Sequence, residues 1–391
     1  MSLGAALHRH GIPAHRLEGT LSQVSEHLGL QGQFFSAPTS LSASFGPPGR
    51  QQGAFVRIDP GDVHLDKVVR LDEVTDDLLR GELDVAAAAA EIDRIEAERP
   101  PYGAVTTTLA TGLTSAAVAP FFGGGWVEVA LAGATGLEVG LLALLAARVA
   151  AVGRLYLLLA AAVAAAWATV AGWLWPGLLV HVVLLSSLIA LVPGLTLTVA
   201  ANELATGHLV SGTARLTGAA MAFLQMGLGV VLGSHVRGLL PAAPVGPVST
   251  PLPDGAVWIS ATVAALCLLV LFRARWRDAP WILASALLAL ASARLGAGLL
   301  EPPAPAFLGG LGVGLFGNAY ARLTRRPSLV PLVPGIMLLV PGSVGFVALS
   351  AMLQQDVIAG IETGFAAVLS AVALAAGLLV ASAALPPRRA L

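Results

Sequence analysis

Beyond residue 103 the chain is a series of apolar runs joined by short turns, each run long enough to cross a bilayer. A helix rising 1.5 Å per residue needs roughly 20 such residues to span the hydrocarbon. Segments 104–122, 126–147, 153–174, 177–200, 211–233, 256–272, 280–299, 304–322, 328–350 and 361–384 fit that requirement. In hydrocarbon each backbone amide must be paired within its own segment, so these ten runs are predicted to be helices. Two of them carry a breaker. Val192-Pro-Gly194 interrupts the fourth run and Val340-Pro-Gly342 the ninth, with a further Leu332-Val-Pro-Gly335 shortly before it. Proline removes a helical hydrogen bond and clashes with the preceding turn, and the freed carbonyls need another partner.

Shifting the chain by 148 residues lays Val192-Pro-Gly194 on Val340-Pro-Gly342. The same offset matches run one to six, three to eight, four to nine and five to ten, with two on seven within a few residues. Five runs per half is an odd number, so the halves would enter the bilayer in opposite senses. That is the inverted-repeat plan of secondary transporters, in which interrupted helices at equivalent places mark the binding site. Loop arginines give an orientation. Arg148, Arg154, Arg215, Arg273, Arg275, Arg277, Arg322, Arg325, Arg326, Arg388 and Arg389 fall on one side, and only Arg237 on the other. By the positive-inside rule the first side is cytoplasmic. The expected fold is an all-α polytopic membrane protein with about ten transmembrane helices. They form two inverted five-helix repeats (101–240 and 250–386) behind a small α+β cytoplasmic domain (1–100).

Composition agrees. The chain is 56% hydrophobic and 12% charged, against about 25% charged in a typical soluble domain. A net charge of −1 gives no reason to expect a nucleic-acid partner. The lone Cys267 cannot form an internal disulfide. Residues 1–30 lack the apolar stretch of a signal peptide, so the N-terminus is expected to stay in the cytoplasm. Lys67 is the one lysine, and this use of arginine beside abundant alanine and glycine points to a GC-rich bacterial source. The expected location is therefore a bacterial cytoplasmic membrane.

In the first hundred residues, 16–30 and 72–80 read as helices, as does 84–98 with Asp84 as its N-cap. Residues 33–45 alternate polar and apolar side chains and are expected to pair with 55–58 as strands. A nucleotide-hydrolysing role is excluded, because a Walker loop needs a lysine in a glycine frame and Lys67 has none. His8, His10, His15, His27 and His64 show no triad or metal spacing and read as solvated.

Ionisable residues inside spans are costly and serve as site candidates. Glu138 lies near the middle of the second run between Gly136 and Gly140, a small-residue frame that admits a close neighbour. It is the candidate proton carrier, the alternative being a protonated carboxyl that locks two helices. Glu128 follows Trp126 near the outer end and is expected to be partly wetted, with Trp126 as an interfacial anchor. Arg294 needs an acid partner, Glu128 or Glu138, or an escape to the surface. Asn202, Glu203 and His208 follow the first break, and Asp356 and Glu362 follow the second, as a gate pair or as solvated loop residues. Thr107, Thr111, Thr114 and Ser115 share a helical face that either lines a polar path or bonds back to its own turn. The expected path is Glu128, Glu138, Thr111, Ser115, Pro193, Gly194, Asn202, Glu203, Pro341, Gly342 and Asp356. His181 reads as a packing histidine, and Gly229/Gly233 and Gly310/Gly314 as packing faces.

Several stretches resemble the threonine/serine exporter family. They are Ala90-Glu-Ile-Asp-Arg-Ile-Glu-Ala-Glu-Arg-Pro-Pro-Tyr102, Phe121-Phe-Gly-Gly-Gly-Trp-Val-Glu128, Val192-Pro-Gly194, and Gly207-His-Leu-Val-Ser-Gly-Thr-Ala-Arg-Leu216. In the second half they are Pro331-Leu-Val-Pro-Gly335 and Val340-Pro-Gly342. The likeness covers nearly the whole chain, and it rests on the order of these motifs. It implies export of threonine and serine driven by the proton motive force; related two-component members imply small dicarboxylates such as succinate as the alternative. The family's acid after Gly-Gly-x-Trp corresponds to Glu128 and its acid before the final span to Asp356. The first-half counterpart of Asp356 is His208, a departure from the pattern. The expected partners are the lipid bilayer, a small amino acid and protons, with a homo-oligomer left open, and no cofactor is expected. A membrane-anchored hydrolase or a sensor using the N-terminal domain are the readings from other classes.

Overall fold

A proline decides how the first sheet forms. The run 33–45 is not one strand: Pro38 cannot donate to a ladder, and the chain turns there at Pro38-Thr39. In the computed structural model, which describes residues 1–47, 49–242, 246–247, 249–299, 301, 303–339, 342–353 and 356–387, the N-terminal unit runs α1 (Ser2–Arg9), α2 (Ala14–His27), β1 (Gly32–Ala37), β2 (Ser40–Phe45), β3 (Gln52–Arg57), α3 (Leu65–Leu79) and α4 (Val85–Ala97). The strands form an antiparallel meander in the order β1-β2-β3. Asp84 caps α4 as expected, its carboxylate accepting the Ala87 N–H at 2.7 Å. Leu7, Leu17, Leu41, Ile58, Leu65, Leu71 and Ile95 are fully buried in this unit, each contributing about 1.5–3 kcal/mol.

The remaining helices are α5 (Ala104–Val118), α6 (Trp126–Arg148), α7 (Ala150–Arg154), α8 (Tyr156–Leu174), α9 (Val180–Leu188), α10 (Gly194–Ala205), α11 (Leu209–Ser234), α12 (Ala256–Leu271), α13 (Ala279–Leu299), α14 (Ala304–Thr324), α15 (Leu329–Leu339), α16 (Gly342–Leu353) and α17 (Val357–Ala384). Among the described residues seven helical stretches are long and apolar enough to cross a membrane, and α12 is a shorter apolar helix. The chain is thus a polytopic membrane protein. The shortfall from ten has local causes. The fourth run splits into α9 and α10, neither of spanning length; α12 has 16 residues; and α14 is diluted by Gly309, Gly310, Gly312, Gly314 and Gly317.

The predicted break at Pro193 is present: α9 ends at Leu188, and Pro193 precedes the first residue of α10, Gly194. Pro334 behaves differently, because α15 continues through it. It is the sixth residue of the helix, so the bond it forgoes is the one to the Val330 carbonyl in the first turn. The second expected break, at Val340-Pro-Gly342, falls where α15 is described to Leu339 and α16 from Gly342. Val340 and Pro341, like Gln355, Arg388 and Arg389, lie outside the described residues.

The two halves pack alike. In the first, α5 lies on α6, α6 on α9, α8 on α11 and α10 on α11; in the second, α12 lies on α13, α13 on α15, α14 on α17 and α16 on α17. They meet through α5 on α12, α10 on α17 and α11 on α16. Close approach is by glycine, as the small-residue pairs predict. A Cβ on Gly229 or Gly233 would stand 2.3 Å from Leu158 O or 2.1 Å from Ala162 O of α8, and one on Gly310 would stand 2.4 Å from Leu374 O of α17.

The N-terminal unit docks on both halves. Leu65 N–H donates to Phe272 O at 2.9 Å and Arg275 pairs with Asp66; just beyond the unit, Tyr102 Oη donates to Ala274 O at 2.7 Å. On the other half, Ser211 Oγ donates to Ser36 O at 3.0 Å.

Candidate functional site

The interrupted helix leads to a cavity. After Pro193, α10 carries Thr198, Asn202 and Thr206 at helical spacing on one face, and these line a cavity of about 370 Å³. Its other walls are α14 through Asn318, α15 through Leu332 and Val333, α17 through Ser382, and the N-terminal unit through Pro13, His15 and Arg16. The volume lies at the low end of the roughly 300–1,000 Å³ of ligand pockets, and the wall has the usual apolar lining with a few polar groups.

Those polar groups are unevenly satisfied. Asn318 is 2% exposed, and its Nδ2 has no hydrogen-bond partner; Asn202 Oδ1 and His15 Nδ1 are buried and unpartnered as well. Thr198 and Thr206 bond back to their own helix, through Gly194 O at 3.2 Å and Asn202 O at 2.9 Å. Arg16 Nη1 donates to Ser328 Oγ at 2.8 Å. Burial pushes the Arg16 guanidinium down to about 10 and still leaves it charged at neutral pH. Burial, with the Arg16 charge beside it, pushes His15 down to about 4, so it is neutral there.

Glu203, at the end of α10, is fully buried. One carboxylate oxygen accepts the Ala14 N–H at 2.9 Å and the other accepts Arg215 Nε at 3.0 Å. His208 stands 3.4 Å from Glu18 and edges onto the His15 ring, with centroids 5.9 Å apart. Glu203 and His208 therefore bind the N-terminal unit, and Asn202 lines the cavity; they are not solvated loop residues. Asp356 is exposed and caps α17, accepting the Ala359 N–H at 3.2 Å, and Glu362 is exposed. The two acid clusters are not equivalent in their surroundings.

The other candidates lie away from this cavity. Glu128 is fully buried, not wetted. It accepts from Gly125 N–H at 2.9 Å, Leu179 N–H at 3.0 Å and Ser249 Oγ at 2.7 Å. It caps α6 and ties that helix to the start of α9 and to the link between the halves. Trp126 is exposed, as an interfacial anchor requires. On α6, Gly136 abuts Ser115 and Gly140 abuts Thr108 of α5. Glu138 sits two residues, about 200°, round the helix from each, so the glycine frame does not clasp it. Its Oε2 is buried without a partner. Thr107, Thr111 and Thr114 bond back to Gly103, Thr107 and Ala110 carbonyls. Ser115 instead reaches Ser187 O of α9 at 3.4 Å, beside the break. Arg294 pairs with neither acid and lies over the Trp258 ring at 5.9 Å. His181 is exposed and not packed inside. Gly342 opens α16 and is buried.

Sequence reasoning passed over Arg16 and Asn318 and read His15 as solvated, whereas its Nδ1 is buried. For Asn318 there was a signal, an amide alone in a glycine-rich apolar run. For Arg16 there was none, because its place depends on contacts hundreds of residues away.

Residues 1–236 match the family described as "Putative threonine/serine exporter", and residues 257–384 match "Threonine/Serine exporter, ThrE". The chain is also similar to the "Pheromone-regulated membrane protein 10" of three yeasts. With that of Pichia sorbitophila it is 24% identical over 382 residues, covering 93% of this chain and 37% of the relative. With that of Debaryomyces hansenii the figures are 24%, 93% and 36%, and with that of Candida albicans SC5314 they are 26%, 88% and 32%. The chain thus spans about a third of the length of these relatives. No solved structure matches.

Proposed function

The chain belongs to the threonine/serine exporter family, and from that premise we propose that it is a secondary active transporter exporting threonine and serine, coupled to the proton motive force. The observation that carries this reading is the helix broken at Pro193, whose polar continuation with Asn202 walls a cavity of small-molecule size. The matched packing of α5–α11 and α12–α17 supports ten membrane segments in two inverted repeats, 101–240 and 250–386. The N-terminal unit, residues 1–100, is then a cytoplasmic domain, both termini face the cytoplasm, and the membrane is the cytoplasmic (plasma) membrane.

In this reading the broken helices supply helix ends and free carbonyls for the amino acid. Pro193 and Gly194, with Pro341 and Gly342 at the second break, are the hinges. Asn202 is a direct contact, and Glu203 holds α10 against the N-terminal domain. Glu138, with an unpartnered buried carboxylate oxygen, is the proton carrier. Glu128 and Ser115 brace the elements around the first break, while Thr111 and Asp356 act on their own helices. No step requires a nucleophile or a cofactor.

The test is efflux of labelled threonine from proteoliposomes of the purified protein, with and without an imposed pH gradient, with serine and succinate as competitors. Gradient-stimulated efflux blocked by serine is expected. Movement of succinate alone would replace the amino acid by a dicarboxylate, and silence for all three would remove the transporter reading.

A further inference from the structure

Three buried polar atoms without a hydrogen-bond partner belong to residues that line one cavity: Asn202 Oδ1 of α10, Asn318 Nδ2 of α14 and His15 Nδ1 of α2. An atom left in this state costs about 1–3 kcal/mol, and native structures hold few of them without something to satisfy them. Other polar groups of the same wall are already engaged. Thr198 and Thr206 donate to carbonyls of their own helix, and Arg16 donates to Ser328. The open atoms are therefore an amide acceptor, an amide donor and an imidazole nitrogen, and burial keeps that imidazole neutral.

Asn318 is the most telling of the three. It is 2% exposed and follows a run of glycine and apolar residues from Phe307 to Gly317. Asparagine is a poor helix former, and a polar side chain in an apolar span is costly, so packing alone gives no reason for an amide here. Its helix is closely held. Gly310 and Gly314 set α14 against α17, and Gly317 lies beside Ser328 and Leu332 at the start of α15. Asn202 stands on α10, which packs on α11 and α17. Side chains on packed helices keep their aim better than those on loops, as a recognition site needs.

The chemistry of the open atoms narrows the ligand group. Both amides are neutral dipoles, which replace the hydration of a neutral polar group well and that of a bare ion poorly. A hydroxyl is the smallest neutral group that both donates and accepts. Leu195, Val199, Leu332 and Val333 form apolar wall around the amides and suit the carbon that bears it. A methyl in place of the hydroxyl would leave the amides stranded, and a site built to bond a hydroxyl rejects the analogue without one.

We infer that this cavity reads the hydroxyl of the transported amino acid through Asn202 and Asn318, the first as acceptor and the second as donor. This rests on the exporter reading for the substrate class. It adds which residues separate a hydroxy amino acid from an apolar one of the same shape, and it leaves the ammonium and carboxylate to the helix ends at the break.

The experiment is direct equilibrium binding of labelled threonine and of labelled valine, its isostere with a methyl in place of the hydroxyl, to the purified full-length protein. The wild type is expected to bind threonine on the order of a hundredfold more tightly than valine. Asn318→Leu and Asn202→Leu keep the branched shape of the side chain without its polar atoms. Each should cut that ratio roughly tenfold or more, by weakening threonine and sparing valine. An asparagine that only shapes the wall, or only holds an ordered water, would lose both ligands together or neither. An unchanged ratio, or joint loss of both ligands, in either folded variant would overturn the inference. A wild type that binds the two equally would overturn it even if neither variant folds. Those results leave the exporter reading intact while threonine still moves in the wild type; a wild type that neither binds nor moves threonine would overturn both.

Discussion

The buried carboxylate of Glu203 accepts the backbone N–H of Ala14 at 2.9 Å, pinning the first turn of α2 to the end of the interrupted helix. The same carboxylate holds Arg215 of α11, so one acid joins three elements. Removing one partner of a buried pair leaves the other uncompensated, at about 3–5 kcal/mol. Glu203→Ala is therefore expected to lower the unfolding midpoint in detergent and expose α2 to protease. Glu203→Ala combined with Arg215→Ala should cost less than the sum of the two single changes. Strict additivity in that double-mutant cycle would disprove the coupling.

Glu128 and Glu138, ten residues apart on one helix, should respond differently to the same change. Glu128 satisfies two backbone amides and the Ser249 hydroxyl. Glu128→Ala strands those donors, at about 1–3 kcal/mol for each buried one, and should show as a lower melting temperature. Glu138 makes no such bond through Oε2. Glu138→Gln should melt close to the wild type and, on the proposed role, lose the pH-gradient stimulation of threonine efflux. Retained coupling would remove Glu138 as the carrier.

The docked N-terminal unit should weaken in acid. Burial holds His15 near 4 and His64 near 3, with the charges of Arg273, Lys67 and neighbouring His10 adding to the effect at His64. The unfolded chain takes up a proton on each near pH 6.5, while the folded chain does not. Stability is thus greatest above about 6.5 and falls as pH drops toward the folded values, by at most about 1.4 kcal/mol per unit per histidine. Melting curves between pH 7.5 and 5 should show the loss, and His64→Gln should flatten it. A flat profile in the wild type would contradict the burial of both rings.

Glycines on α11 separate by surroundings. A Cβ on Gly233 would meet Ala162 O at 2.1 Å, whereas one on Gly218 would meet nothing within 4 Å. Gly233→Ala should force α11 from α8 and cost about 1–3 kcal/mol. Gly218→Ala should be neutral or stabilising by about 0.5–1 kcal/mol, because it lies in a helix interior. Paired melts of the two variants decide the matter, and equal effects would argue against close packing of α8 on α11.

What could be read from the sequence was what one segment settles by itself. Apolar runs of about 20 residues become helices because hydrocarbon leaves their amides no outside partner. Asp84 caps α4 because an aspartate before an apolar run is within reach of the third amide, and Pro193 ends a helix because it removes a donor and a turn. Pro334 shows the limit: the same residue near the start of a helix did not end it. The cavity, and what surrounds each acid, depended on pairs far apart in the chain, including Ala14 with Glu203, Ser249 with Glu128, and Arg16 with Ser328. Local propensity carries no information about such pairs, because closing a long loop is opposed by chain entropy and is favoured only once whole helix faces pack. Tertiary structure therefore decided which buried polar groups were satisfied and which, as at Asn202 Oδ1 and Asn318 Nδ2, were not.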